Sequence, residues 1–353
     1  MYTILVGEIS SYKSIVIAKF LKQAYPQMKI VGYDYKRFTK AFHTKYCENI
    51  FLIENPKKNK QNHIHFLSEI IRNYKIDLFI PVDSGMYGEY IKSKRLFGTA
   101  FSYVGEYAIY EQLHDKSKSQ ELAKNLSIRI PEIYKNISDA KIPFVVKPTN
   151  LSSSKGVKYI FSEKQRLKLK LNSQNEYVFQ EYVQGVGCGF SVFAKNGEIQ
   201  IGSGHIRLAE LPVSGGSSVY RDNFNNQEMI NIASKILRYT KWSGFAMFEF
   251  KLTPENEIVL IEVNPRIWGS INQGLQNGTN YFETLLGKTK VTYKQPVKTY
   301  LSPTLYLSLL KYLFRLQFKP IITFFSNLKK NHVDVNFFSD PKGYLSMLLR
   351  KVL

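Results

Sequence analysis

The sequence lacks the marks of several protein classes. Only two cysteines occur in 353 residues, Cys47 and Cys188, and neither lies in a C-x-x-C pair, so we expect no disulfide framework and no thiolate zinc site. The longest uncharged run in the apolar C-terminal region, residues 299–310, has 12 residues, fewer than the ~18 that span a bilayer. No signal-peptide pattern is present, because Glu8 follows the first apolar run at once. We therefore expect a cytoplasmic protein.

Acidic residues are scarce relative to basic ones. The chain has 49 Lys and Arg against 28 Asp and Glu, a net charge of +21, which favours an anionic partner such as nucleic acid or a membrane surface. Coding bias is the alternative, since 38 of the basic residues are Lys. No helix-turn-helix, zinc-finger or RNP pattern occurs, so no nucleic acid is expected as a partner.

Apolar runs alternate with helical stretches in the first part of the chain. The runs lie at residues 3–7, 29–35 and 76–82, and helical patterns separate them at 14–25 and 63–73. Such alternation is typical of βαβ units and a parallel sheet. We therefore predict a Rossmann-like domain in residues 1–105.

That domain has no dinucleotide fingerprint. Its first strand is followed by Gly7-Glu8-Ile9-Ser10-Ser11 rather than G-x-G-x-x-G, which argues against a redox enzyme. From about residue 106 the pattern changes to a helix at 116–125 and then to short strands. Turns such as Lys195-Asn196-Gly197-Glu198 join these strands as hairpins, so the middle of the chain is predicted to be α+β.

The sharpest local pattern is a hairpin in residues 244–266. Two β-rich runs flank a turn, and if the turn centres between Glu255 and Asn256, Glu249 faces Glu262. By the two-residue alternation of a strand, Asn264 lies on the face of Glu262. Two carboxylates and a carboxamide would then converge on one side of the sheet.

Opposed carboxylates destabilise a sheet unless something compensates for their charge. A hard divalent cation with oxygen ligands, such as Mg²⁺, would do so. The alternatives are a register shifted by one residue, or pairing of one Glu with Lys251 or Arg266 on a solvated face.

A Ser-rich loop follows the predicted strand 144–147. The strand ends at Lys147 and the loop is closed by Lys155 and Gly156. Small residues let backbone N–H groups approach an anion, and the lysines supply charge. The loop resembles a phosphate grip, although it is not a Walker A motif; an ordinary loop is the alternative.

Five further motifs follow one another along residues 113–270. They are LHDKSKSQELAKNLSIRIP at 113–131, VVKP at 145–148 with its Ser-rich loop, FQEYVQG at 179–185, AMFEF at 246–250 and EVNPRIWGS at 262–270. In this order they resemble the ATP-grasp superfamily, and residues 1 to about 290 resemble the carbamoyl-phosphate-synthetase-like branch of its carboxylate–amine ligases.

The resemblance implies an α/β and α+β fold in four parts. These are a Rossmann-like pre-ATP-grasp domain (1–105), an ATP-grasp N-lobe with the phosphate loop (106–185), a C-lobe with the Mg-binding hairpin (186–290) and a basic, aromatic-rich helical C-terminal appendix (291–353).

The resemblance also implies roles for individual residues. Lys116 and Lys147 resemble the lysines that hold ATP phosphates, and Arg266 the arginine that stabilises charge on the transferred phosphoryl group. The implied Mg²⁺ ligands, for which Mn²⁺ would substitute, are Glu249, Glu262 and Asn264. The lid loop and the adenine-reading hinge complete the implied ATP site: Ser152, Ser153, Ser154, Lys155, Gly156, Gln180, Glu181, Tyr182 and Val183.

Two arginines bracket a Gly/Ser-rich segment on the substrate side. Arg207 and Arg221 present planar forks that grip carboxylates, and Gly215 and Gly216 lie between them. We expect these four residues to bind the substrate carboxylate. The alternative is a surface loop whose arginines pair with neighbouring acids.

Residues 291–353 combine ten basic and eleven aromatic residues with only two acidic ones. Between residues 303 and 319 the polar positions are Thr304, Ser308, Lys311, Arg315 and Lys319, at helical spacing. The sequence leaves open whether this helix packs on the catalytic body, joins two copies in a homodimer, contacts an anionic membrane or binds a polyanionic substrate.

The resemblance implies an ATP-dependent carboxylate–amine, or carboxylate–thiol, ligase. It would use Mg-ATP to form a C–N bond, release ADP and phosphate, and join a small-molecule or sugar-linked carboxylate to an amine in cell-surface polysaccharide or peptide-metabolite synthesis. The alternative is a nucleotide-sensing binding protein, peripheral at the inner membrane face, without ligase turnover.

Overall fold

Three β-sheets organise the protein. The computed structural model describes residues 2–149, 156–172, 176–213, 215–286 and 296–352. Within these residues lie two four-stranded sheets and one seven-stranded sheet. No helix of this described part is long and apolar enough to cross a membrane.

The first sheet is parallel, with strand order β3-β2-β1-β4. Ile4, Leu5 and Val6 of its central strand are fully buried, because a parallel sheet is covered on both faces. Its elements are β1 (Thr3–Val6), α1 (Tyr12–Ala24), β2 (Lys29–Asp34), a 3₁₀ turn (Arg37–Lys40), β3 (Asn49–Leu52), α2 (Lys60–Asn73), β4 (Leu78–Ile80), α3 (Tyr87–Lys92) and a second 3₁₀ segment (Lys94–Phe101).

The second sheet is antiparallel, with strand order β5-β8-β6-β7. The helix before it begins at Lys116, because the Asp115 carboxylate accepts a hydrogen bond from the Lys118 N–H at 2.9 Å and caps the helix. The elements are α4 (Tyr107–His114), α5 (Lys116–Asn125), β5 (Ile133–Tyr134), β6 (Phe144–Pro148), β7 (Lys158–Ile160), α6 (Glu163–Leu167) and β8 (Tyr177–Glu181).

The third sheet has the order β13-β12-β9-β10-β11-β14-β15. Asn196 and Gly197 have φ values of 49° and 83°, as a tight hairpin turn requires. The first part of this region contains β9 (Val186–Lys195), β10 (Glu198–Leu211), β11 (Ser217–Asn223), α7 (Gln227–Thr240), β12 (Gly244–Leu252), β13 (Ile258–Asn264), α8 (Ile271–Gln276) and α9 (Tyr281–Leu285).

The expectation of a helical C-terminal appendix needs correction in part, because two strands accompany its helices. β14 pairs with β11, and β15 pairs with β14, so both strands extend the third sheet. Each has three residues, too few for a strand period to show in the sequence. The elements are β14 (Lys298–Tyr300), α10 (Thr304–Phe314), α11 (Lys319–Ser326), a 3₁₀ turn (Leu328–Lys330), β15 (Asn331–Val333) and α12 (Pro341–Val352).

The last helix returns to the first domain through Arg350. Its Nη1 donates to Ser10 Oγ at 2.8 Å and to Asp34 at 3.3 Å, and its Nη2 donates to Glu8 and to the Tyr35 hydroxyl. Ser10 Oγ in turn donates to Asp34 at 2.6 Å. We call these five residues the Arg350 network; it closes the carboxyl edge of β1 and β2.

Candidate active site

One cavity of about 250 Å³ gathers nine of the 19 predicted site residues. Its walls come from α5 and β6 of the second region, from β10, β12 and β13 of the third sheet and from the start of α1. The predicted residues that line it are Lys116, Lys147, Arg207, Gly215, Gly216, Glu249, Glu262, Asn264 and Arg266. We call this cavity the cleft.

The hairpin β12–β13 places its carboxylates in the predicted register. Glu249 pairs with Glu262, and Met247 pairs with Asn264. The turn itself is one residue shorter than expected, since Leu252 pairs with Ile258, and a bulge at Ile261 restores the register before the site.

Glu249 is held by two donors. Arg207 Nη2 donates to its Oε2 at 2.6 Å, and Asn264 Nδ2 donates to its Oε1 at 3.2 Å. Burial is the largest single effect and favours the neutral acid, but the charge and hydrogen bond of Arg207, together with the charges of Arg266 and Lys147, outweigh it and lower the pKa of Glu249. Glu249 is therefore a carboxylate at neutral pH. The same arginine donates to Glu210 at 3.1 Å.

Two lysines lie deep in the cleft. Lys116 Nζ is 3.9 Å from Glu262 Oε2 and donates to the Thr149 carbonyl at 3.5 Å. Burial, reinforced by the positive charge of Lys116, lowers the pKa of Lys147 to about 8. At pH 7 Lys147 is still mostly protonated, and a bound anion would raise its pKa.

Arg266 has an N–H group that makes no hydrogen bond within the described residues. Its Nη2 donates to Asn264 Oδ1 at 2.7 Å and its Nη1 donates to the Ile267 carbonyl at 3.1 Å. Its Nε is buried and has no hydrogen-bond partner among the described residues, and the same holds for Arg207 Nε. An unpaired buried donor costs about 1–3 kcal/mol, so an incoming oxygen atom that accepted from either group would be stabilised.

The donor set fits a hard cation. Among the described residues no three His, Cys, Asp or Glu side chains form a metal cluster; the oxygen donors that hairpin β12–β13 brings to the cleft are two carboxylates and one carboxamide. Glu249, Glu262 and Asn264 line the same cavity, and Mg²⁺ takes such a partial set because it fills its remaining positions with water and phosphate oxygens.

Other predicted residues lie outside the cleft or outside the described residues. Ser152, Ser153, Ser154 and Lys155 fall outside the described residues, and Gly156 is the first described residue after them, with φ 73°.

The hinge residues Gln180, Glu181, Tyr182 and Val183 do not line the cleft. Gln180 Oε1 accepts from Gln120 Nε2 at 3.1 Å. Tyr182 lines a second cavity of about 510 Å³, described below.

The structure does not bring Arg221 to the cleft. Its side chain is 1% exposed and pairs with the buried Asp334, and its Nε donates to Thr299 Oγ1 at 2.8 Å. This arginine anchors β14 and the segment after β15 to the third sheet. We correct the expectation for Arg221 and keep only Arg207 as the arginine on the substrate side.

Sequence reasoning missed several residues of the cleft. Tyr12, Lys13 and Ser84 come from the first domain, and His205 comes from β10. Burial next to Arg207 lowers the pKa of His205 to about 3, so this imidazole is neutral. Lys13 and Ser84 follow the carboxyl ends of β1 and β4, and ligands of α/β sheets bind at such ends. This rule would have indicated both residues from the predicted strands.

Comparison with known proteins identifies the domain. Residues 113–270 match the family model of the ATP-grasp domain. A 5-formaminoimidazole-4-carboxamide ribofuranosyl monophosphate synthetase of Saccharolobus solfataricus is 25% identical over 41% of this chain and 49% of its own length. A D-alanine–D-alanine ligase of Lactobacillus helveticus is 25% identical over 61% of this chain and 69% of its own.

A solved structure shares the fold. The biotin carboxylase domain of the Hydrogenobacter thermophilus 2-oxoglutarate carboxylase, solved with MgADP and bicarbonate, superposes with a TM-score of 0.66. It is 12% identical and the match covers 84% of this chain and 73% of that one. The chain spans about half the length of the first curated relative. These comparisons therefore identify the domain but not a particular reaction. Residues 113–270, which match the family model, form an ATP-grasp domain.

Proposed function

We propose that this protein is an ADP-forming carboxylate–amine ligase that uses Mg-ATP. One observation carries the proposal: Glu249 and Glu262 face each other in a cleft that also contains Lys116, Lys147 and Arg266. The named activity of the D-alanine–D-alanine ligase relative supports the same reaction class.

The residues divide the work of phosphoryl and acyl transfer. A substrate carboxylate attacks the γ-phosphorus of ATP, ADP leaves, and an amine then displaces phosphate from the acyl phosphate, so no covalent enzyme nucleophile is needed. Lys116 and Lys147 would neutralise the phosphates. The unpaired Nε of Arg266 would donate to the transferred group, where charge develops.

The metal and the substrate have separate places in this scheme. Glu249, Glu262 and Asn264 would hold Mg²⁺, which when bound neutralises charge on the phosphates. We assign the carboxylate substrate to the side of Arg207, Gly215 and Gly216. The size of the cleft, about 250 Å³, supports a small carboxylate or the end of a larger one.

A hydroxylamine trap tests the proposal. The protein is incubated with Mg-ATP, hydroxylamine and, one at a time, amino acids, dicarboxylic acids and uronic acids, and both ADP and hydroxamate are measured. We expect hydroxamate with at least one acid, and ADP release that depends on that acid. ATP binding without ADP release or hydroxamate for any acid would contradict the ligase proposal and favour the nucleotide sensor.

A further inference from the structure

Helices α10 and α11 form a hairpin with an inner and an outer face. The inner face packs on the third sheet: Leu305, Leu309 and Tyr312 are buried against β10 and β11. Ser308 is also buried and donates to the Glu210 carbonyl at 2.7 Å. The polar stripe predicted for this helix therefore needs correction, because Ser308 points inward and not to solvent.

The outer face is unusually apolar as a result. Ten of the 24 exposed large apolar side chains of the described residues lie between residues 306 and 328. Phe314 is 79% exposed and Leu316 is 75% exposed. The ten are Tyr306, Leu307, Leu310, Leu313, Phe314, Leu316, Phe318, Ile322, Phe325 and Leu328. Apolar surface concentrated in this way marks an interaction site.

The charge of this surface has one sign. Five exposed cations lie among the apolar residues: Lys311, Arg315, Lys319, Lys329 and Lys330. The sequence has no Asp or Glu between Glu283 and Asp334. The partner that complements this surface is therefore apolar at its interior and anionic at its boundary.

We propose that the outer face of the α10–α11 hairpin docks on an anionic lipid bilayer. Its apolar side chains would enter the boundary between headgroups and acyl chains, and its cations would contact the headgroups. A second copy of this chain is a poorer occupant, because a symmetric contact would bring two sets of five cations together without a single acid from the hairpins. The helices have 11 and 8 residues, so they lie along the surface.

The second cavity is lined both by residues of this hairpin and by a residue that also lines the cleft. Arg315 and Gln317, which connect the two helices, line it together with Tyr182 and Tyr159. Tyr159 also lines the cleft, so the two cavities are neighbours. Docking through the hairpin would hold the cleft close to the bilayer.

Vesicle binding tests the proposal with the full chain. Sedimentation is compared between vesicles of phosphatidylcholine alone and vesicles that also contain phosphatidylglycerol, at ~0.1 M salt. We expect binding to the mixed vesicles only. The combined variant Lys311→Gln, Arg315→Gln and Lys319→Gln should weaken it about 100-fold.

A matched control separates docking from the general positive charge of the chain. Lys57, Lys58 and Lys60 are exposed on the first domain, and their combined change to Gln removes the same charge. We expect this control to lose less than about threefold in affinity. An equal loss in both triple variants would overturn the proposal.

A second variant tests the contribution of the apolar side chains to vesicle binding. The double change Phe314→Ser and Leu316→Ser removes two exposed side chains and should weaken vesicle binding about tenfold or more with an unchanged melting temperature. Retained vesicle binding would contradict the proposal. So would a wild-type dimer in sedimentation velocity that this variant converts to a monomer, which would assign the face to a second copy.

Discussion

The Arg350 network and the cleft are two clusters of charged side chains, and they differ in how completely their polar atoms are hydrogen-bonded. In the Arg350 network the guanidinium donates to Glu8, Asp34, Ser10 and Tyr35, and the network is closed. In the cleft, the buried Nε atoms of Arg207 and Arg266 have no hydrogen-bond partner among the described residues.

This difference distinguishes charged groups that stabilise the fold from charged groups that can bind a ligand. A buried ion pair costs desolvation, and complete hydrogen bonding is what makes that cost tolerable. The Arg350 network meets this requirement from within the chain. The cleft does not, and anionic oxygens together with a cation would complete it. The four predictions below test this contrast.

The largest effect is expected for Glu262→Gln. Loss of one of the two opposed carboxylates should lower acid-dependent ADP release about 10³-fold, or about 4 kcal/mol, because the cation loses a charged ligand. Stability should stay nearly unchanged, since the side chain lines the cleft and is 19% exposed. The control is Glu255→Gln in the exposed turn of the same hairpin; full activity of Glu262→Gln would refute the metal assignment.

Arg350→Ala should act on stability instead. It leaves the buried Glu8 and Asp34 carboxylates without their cation, and we expect a loss of about 3 kcal/mol in the free energy of unfolding. Urea unfolding at pH 8 measures it, with Lys351→Ala on the same helix as the control. A loss no larger than that of the control would mean that the network is not needed for the fold.

Lys147→Met should weaken nucleotide binding. The ammonium is nearly buried in the cleft, and a hydrogen bond to a charged group contributes about 1.5–3 kcal/mol, so the Kd for ATP should rise about 10- to 100-fold. Calorimetric titration of ATP measures it, and Lys164→Met on the exposed helix α6 is the comparison. An unchanged Kd would place the phosphates away from β6.

The most gradual effect is a pH dependence from Glu8. Burial, reinforced by Asp83, raises its pKa from the ordinary 4.5 to about 7, against the opposing charge of Arg350. Between these values the folded protein holds a proton that the unfolded chain releases, so stability should fall as pH rises, by up to about 1.4 kcal/mol per pH unit. Glu8→Gln should flatten the profile measured by urea unfolding from pH 5 to 7; an identical slope would contradict this origin.

The sequence was most informative where one element determines the geometry. The facing of Glu249 and Glu262 was predicted from the assumed centre of the turn, and it holds in the structure. It holds through two departures that cancel, since a shorter turn and the bulge at Ile261 shift the register in opposite directions. Local patterns fix which side chains share a face, but a bulge leaves no mark in a single sequence.

Contacts between distant segments could not be predicted in the same way. Arg207 and Arg221 look equivalent in the sequence, yet Arg207 lines the cleft and Arg221 is buried against Asp334, which lies 113 residues further along the chain. Ser308 likewise reads as part of a polar stripe, but it points inward because the Glu210 carbonyl accepts its hydrogen bond. Such choices depend on which surfaces meet after folding.

The Arg350 network also bears on how the protein is made. Synthesis proceeds from the N-terminus at about 5–20 residues per second, so β1 and β2 are complete well before Arg350 leaves the ribosome. During that interval Asp34, which is fully buried in the finished protein, has no cation from α12. The Arg350 network therefore stays incomplete until residue 350 has been translated.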